Sequence, residues 1–187
     1  MYQEPKLLLR VRSEVNSARI NNAENGTYQF DLTKLNDQPL LQSVYAETLR
    51  LRISLAVART STEGDYKLAE WTFPKKSIIG LSSRIAATNK NIWNTGGEGD
   101  PHPLEEFWAD RFLVYPDDPL SGPRKVSTSG KQKTVQEIHT SKPTFTMDGL
   151  QGGWIPYGGG QWMCPGRHFA KAESKCLSES FINGAQS

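Results

Sequence analysis

The chain has 187 residues, of which 36% are hydrophobic and 10% aromatic, a composition that suits a globular domain rather than a disordered polypeptide. Its formal net charge of +2 gives no strong attraction to nucleic acid or to an anionic membrane, so we expect no nucleic-acid partner. No apolar run approaches the ~20 residues of a membrane span, and residues 1–10 lack a secretory signal. Two cysteines, Cys164 and Cys176, are too few for a disulfide framework.

The first half of the chain predicts two helices followed by short strands. Apolar residues recur at helical spacing over residues 6–20, just after Pro5, and again over residues 38–51. The Asn-rich residues 21–28 between them predict a loop. Short β-like runs bounded by Gly, Asp and Pro come next, at residues 56–60, 66–68, 70–73 and 77–81.

The second half predicts mostly irregular structure. Residues 101–112 form a meander rich in Pro and aromatic side chains, and residues 117–149 a polar loop without periodicity. Residues 152–166 are a glycine-rich loop, and a helix can begin at His168. Because helices precede the strands without regular alternation, the order does not favour a parallel doubly wound sheet. The predicted fold class is mainly α with a small β region.

The glycine-rich loop carries the strongest chemical signal. It reads Trp-Ile-Pro-Tyr-Gly-Gly-Gly-Gln-Trp-Met-Cys-Pro-Gly-Arg-His-Phe-Ala from Trp154 to Ala170. The consecutive glycines have no β-carbon, so a flat ligand could lie almost against the backbone. Cys164 precedes Pro165, a favoured first helical residue, and would face the free N–H groups at the helix start, which favour a thiolate. The helix dipole contributes only ~0.3–1 kcal/mol, so full ionisation requires a metal such as iron or zinc.

At these residues the sequence resembles the haem-binding loop of cytochromes P450. That loop has an aromatic residue, two residues, Gly, three residues, Cys, one residue and Gly, and Tyr157, Gly160, Cys164 and Gly166 stand at this spacing. The order of residues in this loop is similar to that in fungal P450s related to the sterol 7α-hydroxylase and prostacyclin-synthase group. The resemblance implies haem as cofactor, with Cys164 as the axial iron ligand. Trp162 stands where the family often has an Arg or His for a haem propionate, so it could offer an indole N–H but no charge.

Three other interpretations of the loop are weaker. A phosphate-binding loop requires Gly-Lys-Ser/Thr, which is absent, and Gly-x-Gly-x-x-Gly starting at Gly158 meets Met163. A zinc site formed by Cys164, His168 and Cys176 lacks a fourth ligand at normal spacing. A buried, inert cysteine does not explain the glycines.

A charged framework is implied by the same resemblance. Glu47 and Arg50 lie three residues apart in a helix that resembles the P450 K helix, and Arg111 stands in a segment similar to the family's Pro-Glu-Arg-Phe segment. In the family these three residues form an internal charge network that supports the haem loop. For Glu47 and Arg50 alone, a solvated pair worth ~0.2–0.5 kcal/mol is the simpler interpretation. Arg59 stands where P450s place a propionate-binding arginine, and an exposed arginine at a strand edge remains an open alternative.

The resemblance covers about residues 5–173 and corresponds to the C-terminal part of a P450, from the J helix to the start of the L helix. We therefore expect a partial P450 fold, incomplete at both ends, over residues 1–173, and a tail without the family pattern over residues 174–187. The membrane anchor, most of the substrate pocket and the I helix would lie outside this sequence, so no catalytic residue is predicted.

The implied activity is that of a haem-thiolate monooxygenase of fungal secondary metabolism. It would insert one oxygen atom from O2 into a small lipophilic substrate, with electrons from NADPH-cytochrome P450 reductase, at the endoplasmic reticulum membrane. Two alternatives stay open. One is a P450-type peroxide isomerase, and the other is a truncated, catalytically inactive remnant.

Overall fold

Helices and short antiparallel strand pairs make up the part of the chain that the computed structural model describes, which is residues 5–20, 29–97, 99–126 and 142–174. The described part of the chain ends with a 3-10 turn at Gly160–Trp162 and a helical segment at residues 167–174. The other elements are, in chain order, α1 (Pro5–Ser17), β1 (Arg19–Ile20), β2 (Gln29–Phe30), α2 (Leu32–Asn36), α3 (Pro39–Arg52), β3 (Ala56–Thr60), β4 (Tyr66–Leu68), β5 (Trp71–Phe73), β6 (Ile78–Ser82), α4 (Ser83–Ala87), β7 (Leu113–Val114) and β8 (Thr144–Phe145).

Helix α3 is the central element, and its start is fixed by a neighbouring helix. Pro39 occupies the first helical position, and the side chain of Gln38 makes no capping bond. Instead the Glu14 carboxylate of α1 accepts the backbone N–H groups of Leu40 at 3.0 Å and Leu41 at 2.9 Å. These two donors would otherwise lack partners at a helix start, so α1 supplies the cap that α3 does not carry itself.

The strands form four antiparallel pairs of two strands each within the described residues. β3 pairs with β6 over five residues, with Arg59 opposite Ile79, and β4 pairs with β5 in a tight hairpin. β1 pairs with β2, and β7 with β8. The β3–β6 pair matters most for the site because it brings Arg59 beside the glycine-rich loop.

The main hydrophobic core joins α3 to the meander. Buried Trp93 and Phe112 pack edge to face, with ring centroids 5.7 Å apart, and Ala46 of α3 lies in the same cluster. The buried Ser43 hydroxyl accepts the backbone N–H of Phe112 at 3.2 Å and donates to a meander carbonyl, which fixes α3 against this segment. Trp154 packs on the edge of the cluster, so the glycine-rich loop begins at the core surface.

The predicted fold class is confirmed, with differences in detail. Strands 56–60 and 66–68 have their predicted bounds, and α3 begins and ends one residue later than predicted. The helix predicted to reach residue 20 ends at Ser17, because Arg19 and Ile20 pair with β2.

Other differences concern short elements. β8 lies inside the region 117–149 that the sequence predicts to be loop, and α2 and α4 were not predicted. The predicted loop at residues 21–28 and all but the first residue of the predicted tail at residues 174–187 lie outside the described residues. Within the part of the chain that the structure describes, none of the helices combines the length and apolarity of a membrane span.

Candidate functional site

The cysteine of the glycine-rich loop lies at the surface on a well-fixed backbone. Cys164 is exposed and its thiol is free. Its backbone N–H donates to the carbonyl oxygen of Tyr157 at 3.0 Å. Its own carbonyl accepts the Arg167 backbone N–H at 3.4 Å and the Arg167 guanidinium at 3.0 Å. The main chain at Cys164 is therefore held on both sides, while the side chain is open to solvent.

The glycines leave one face of this loop open. Gly158 and Gly160 have positive φ angles of 80° and 66°, where a side chain is strained, whereas Gly159 is extended with φ of −158°. A β-carbon built on Gly159 or Gly160 would meet no heavy atom within 4 Å. On Gly166 it would lie 3.7 Å from the Cys164 sulfur, an ordinary contact. A planar group could therefore approach the backbone beside the sulfur without displacing protein atoms.

The start of the loop is anchored to α3 by two aromatic residues. The Trp154 indole N–H donates to the carbonyl of Ala46 at 3.1 Å, and the Tyr157 hydroxyl hydrogen-bonds the Tyr45 hydroxyl. The rings of Trp154 and Tyr157 meet edge to face, with centroids 6.2 Å apart. Burial, followed by the bond to Tyr157, raises the pKa of Tyr45 above the usual value of a tyrosine. The loop therefore rests on consecutive residues of one helix.

Arg59 tethers the other side of the loop from β3. Its guanidinium donates to the carbonyl oxygen of Gly159 at 2.9 Å and to that of Ala58 in its own strand at 2.9 Å. The side chain is exposed and has no carboxylate partner among these bonds. The arginine therefore lies beside the open glycine face with part of its charge available to an anionic group.

The three predicted framework residues meet in the interior. The side chains of Glu47, Arg50 and Arg111 are all 0% exposed. Arg50 binds the Glu47 carboxylate with two nitrogens, at 2.7 and 2.8 Å, and the Arg111 Nε donates to it at 2.9 Å. The backbone N–H of Trp108 also donates to Glu47, at 3.1 Å. One carboxylate thus joins α3 to the meander.

Backbone carbonyls stabilise the second positive charge of this network. Arg50 donates to the carbonyls of Ala87 and Leu104, each at 2.8 Å, and Arg111 donates to the carbonyl of Asn94. Burial lowers the pKa of Arg111, and the charge of Glu47 opposes that shift. Because both arginines have several acceptors, the network is satisfied although it holds one carboxylate for two guanidinium groups.

The structure thus separates the predicted residues into two groups. Tyr157, Gly160, Cys164 and Arg59 belong to the open loop region, and Glu47, Arg50 and Arg111 to the buried network. Trp162 is 74% exposed on the 3-10 turn, so its indole lies in solvent rather than against the protein. Sequence reasoning missed Tyr45, since its partner is 112 residues away and a tyrosine on a partly buried helix face is ordinary.

The donor set fits haem better than a zinc site. Among the described residues, no group of three or more His, Cys, Asp or Glu side chains could hold a metal ion together. Cys176, the third member of the zinc interpretation, lies outside those residues. A single exposed thiol beside an open glycine face suits an iron whose other ligands come from a planar macrocycle.

Comparison with known proteins gives a consistent result. The family model described as Cytochrome P450 matches residues 1–114. The chain is 45% identical over 174 residues to the cytochrome P450 monooxygenase efuG of Hormonema carpetanum, covering 91% of this chain and 30% of that enzyme. It is 39% identical over 182 residues to fsoE of Humicola fuscoatra, covering 96% of this chain and 31% of that enzyme. Because the second alignment covers 96% of the chain, it includes Cys164.

A more distant relative and a solved structure are also similar to the chain. The chain is 31% identical over 185 residues to the human 7-alpha-hydroxycholest-4-en-3-one 12-alpha-hydroxylase, covering 94% of this chain and 31% of that enzyme. The fold matches a structure described as retinoic acid bound cyanobacterial CYP120A1 with a TM-score of 0.58 and 21% identity, covering 95% of this chain and 31% of that one. The chain therefore spans about 30% of the length of the first relatives it matches.

Proposed function

The chain belongs to the cytochrome P450 family, and on that premise we propose that Cys164 is the axial thiolate ligand of a haem in a monooxygenase. The observation that carries the proposal is the exposed thiol of Cys164 beside the open face of Gly159 and Gly160. The relatives named above as monooxygenases support the reaction class. The chain spans only 31% of the fsoE enzyme, so the monooxygenase activity is proposed for the whole protein and not for this chain alone.

The residues of this chain would hold and orient the cofactor. Haem held by the Cys164 thiolate would supply one-electron chemistry for insertion of one oxygen atom from O2 into a substrate. Cys164 acts as the iron ligand and not as a nucleophile. Arg59 is proposed to offer positive charge to a haem propionate. Trp162 offers only a neutral N–H donor.

The buried network has a structural part in the same proposal. Glu47, Arg50 and Arg111 lock α3 to the meander, and the residues of α3 just before Glu47 hold the start of the loop. The network therefore supports the loop through α3, while its own side chains are fully enclosed by the protein. We propose that the network keeps the part of α3 that contacts Tyr157 rigid, while the glycine face beside Cys164 stays open.

Substrate and partners follow from the family alone. We propose a small lipophilic substrate in fungal secondary metabolism, since relatives from Hormonema carpetanum, Humicola fuscoatra and Penicillium decumbens are P450 monooxygenases. NADPH-cytochrome P450 reductase as the electron donor and the endoplasmic reticulum membrane as the location are proposed on the same basis.

The test is the visible absorption spectrum of the carbon monoxide complex. The purified chain is reconstituted with haem, reduced and exposed to carbon monoxide, and the Soret band is recorded. A thiolate-type band that disappears in Cys164→Ser and persists in Cys176→Ser supports the proposal. A thiolate-type band that survives Cys164→Ser contradicts the ligand assignment, and no band in the unsubstituted chain favours the inactive-remnant alternative.

A further inference from the structure

We propose that Tyr45 is a positioning residue that acts through Tyr157 to set the backbone of Cys164. The inference rests on the proposed haem ligation by Cys164 and goes beyond it, because it identifies a hydroxyl on another element that determines how the ligand is presented. Neither Tyr45 nor its bond belongs to the predicted loop pattern, which requires only an aromatic ring at residue 157.

First, helix α3, which carries Tyr45, is held rigidly. Tyr45 lies two residues before Glu47, whose carboxylate is fixed by Arg50 and Arg111 in the interior. The start of the same helix is capped by Glu14. With both its N-terminal turn and its middle held by buried or capped groups, α3 offers the loop a rigid surface.

The second step is the position of Tyr157 between α3 and the ligand. Its hydroxyl bonds Tyr45, and its carbonyl oxygen accepts the backbone N–H of Cys164 at 3.0 Å. Trp154 supports the same ring edge to face and is itself bonded to Ala46. A displacement of the Tyr157 side chain therefore moves the acceptor that fixes Cys164, whereas a phenylalanine there would keep the ring contact and lose the hydroxyl anchor.

The third step is the freedom of the sulfur itself. Cys164 is exposed, so packing does not hold its side chain, and the main chain sets the direction of the Cα–Cβ bond from which the thiol extends. Besides Tyr157, the main chain at Cys164 is held by Arg167, which lies only three residues later in the same loop. Tyr45 therefore provides a link from the ligand to a distant, rigid element, beside the bonds of Trp154 to Ala46 and of Arg59 to Gly159.

The experiment compares Tyr45→Phe, Tyr157→Phe and the double variant with a matched control, Tyr66→Phe, which removes the hydroxyl of an exposed tyrosine in β4. In the haem-free chain, hydrogen exchange is measured at the Cys164 amide. In the haem-reconstituted chain, the proportion of thiolate-type to thiol-type Soret band is measured after reduction under carbon monoxide.

Loss of one hydroxyl bond should accelerate exchange at the Cys164 amide about two- to tenfold and lower the thiolate-to-thiol ratio by a similar factor. The double variant should match the stronger single variant, because each one breaks the same pair. Tyr66→Phe should change neither quantity.

The outcomes separate this inference from the proposed function. A normal thiolate band in the unsubstituted chain, together with unchanged exchange and band ratio in Tyr45→Phe, overturns the positioning role and leaves haem ligation intact. The absence of any thiolate band in the unsubstituted chain overturns the proposed ligation and, with it, ligand positioning by Tyr45. A general loss of stability without a change in the band ratio would also count against it, since that is the result a merely structural role produces.

Discussion

The buried charge network and the open cysteine loop are both anchored to α3, but their side chains lie in opposite environments. Glu47, Arg50 and Arg111 are fully enclosed, and each has several hydrogen-bond partners in fixed geometry. Cys164 is exposed and is held only through its backbone. The network is built to stabilise the fold, whereas the loop leaves its thiol accessible, so substitutions in the two regions should have different consequences.

The largest effect is expected from Glu47→Gln. The change removes the negative charge that both buried guanidinium groups contact, and the free energy of unfolding should fall by about 3–5 kcal/mol. Urea unfolding followed by tryptophan fluorescence measures it. Glu70→Gln, at an exposed carboxylate beside β5, is the control and should change stability by less than about 0.5 kcal/mol. Equal effects of the two substitutions would show that the network carries no special share of the stability.

Arg111→Lys should have the next largest effect. Lysine keeps the charge, but it cannot reproduce a planar guanidinium that donates to Glu47 and to backbone carbonyls at once. The expected loss is about 1.5–3 kcal/mol, the range for hydrogen bonds to charged groups. Arg52→Lys, at the exposed end of α3, is the matched control for urea unfolding. A loss below that of the control would mean that charge alone, and not the guanidinium geometry, stabilises this site.

Gly160→Ala tests the loop backbone. Gly160 has a positive φ, so alanine there should reduce stability by about 1–2 kcal/mol even though the space around it is open. Gly159→Ala is the matched control, because its surroundings are equally open and its φ is extended. Thermal unfolding of the two variants measures the difference. If both alanines are tolerated equally, the backbone conformation of the turn is not what requires glycine.

The smallest effect on stability is expected for Cys164→Ser. The side chain is exposed and free, so the free energy of unfolding of the haem-free chain should change by less than about 0.5 kcal/mol. The same substitution should abolish the thiolate-type Soret band described above. A large loss of stability would show that the cysteine is part of the packing and would remove the contrast between the two regions.

Local patterns predicted the long and strongly periodic elements well. The helix with apolar spacing around Leu41 and the strand Ala56–Thr60 were found from sequence because their signals extend over several residues. α2, α4 and β8 span five residues or fewer, too short for a periodic signal, and their positions depend on packing against distant segments.

The site shows the same division between local and long-range information. Spacing around Cys164 identified the loop, because the glycines and the cysteine act through neighbouring backbone. Spacing pairs Glu47 with Arg50, whereas Arg111 was named through the family resemblance, since it lies 64 residues away. No local pattern connects Tyr45 to the loop, and only the folded chain brings its hydroxyl to Tyr157.

Three consecutive residues of α3 serve three different neighbours. Tyr45 binds the loop through its hydroxyl, Ala46 through its carbonyl, and Glu47 turns inward to the arginines. Successive residues of an α-helix are rotated by about 100° around the axis, so this division of contacts depends on the phase of the helix. Inserting or deleting one residue upstream within α3 would rotate all three away from their partners at once. The segment should therefore accept substitutions far more readily than changes in length.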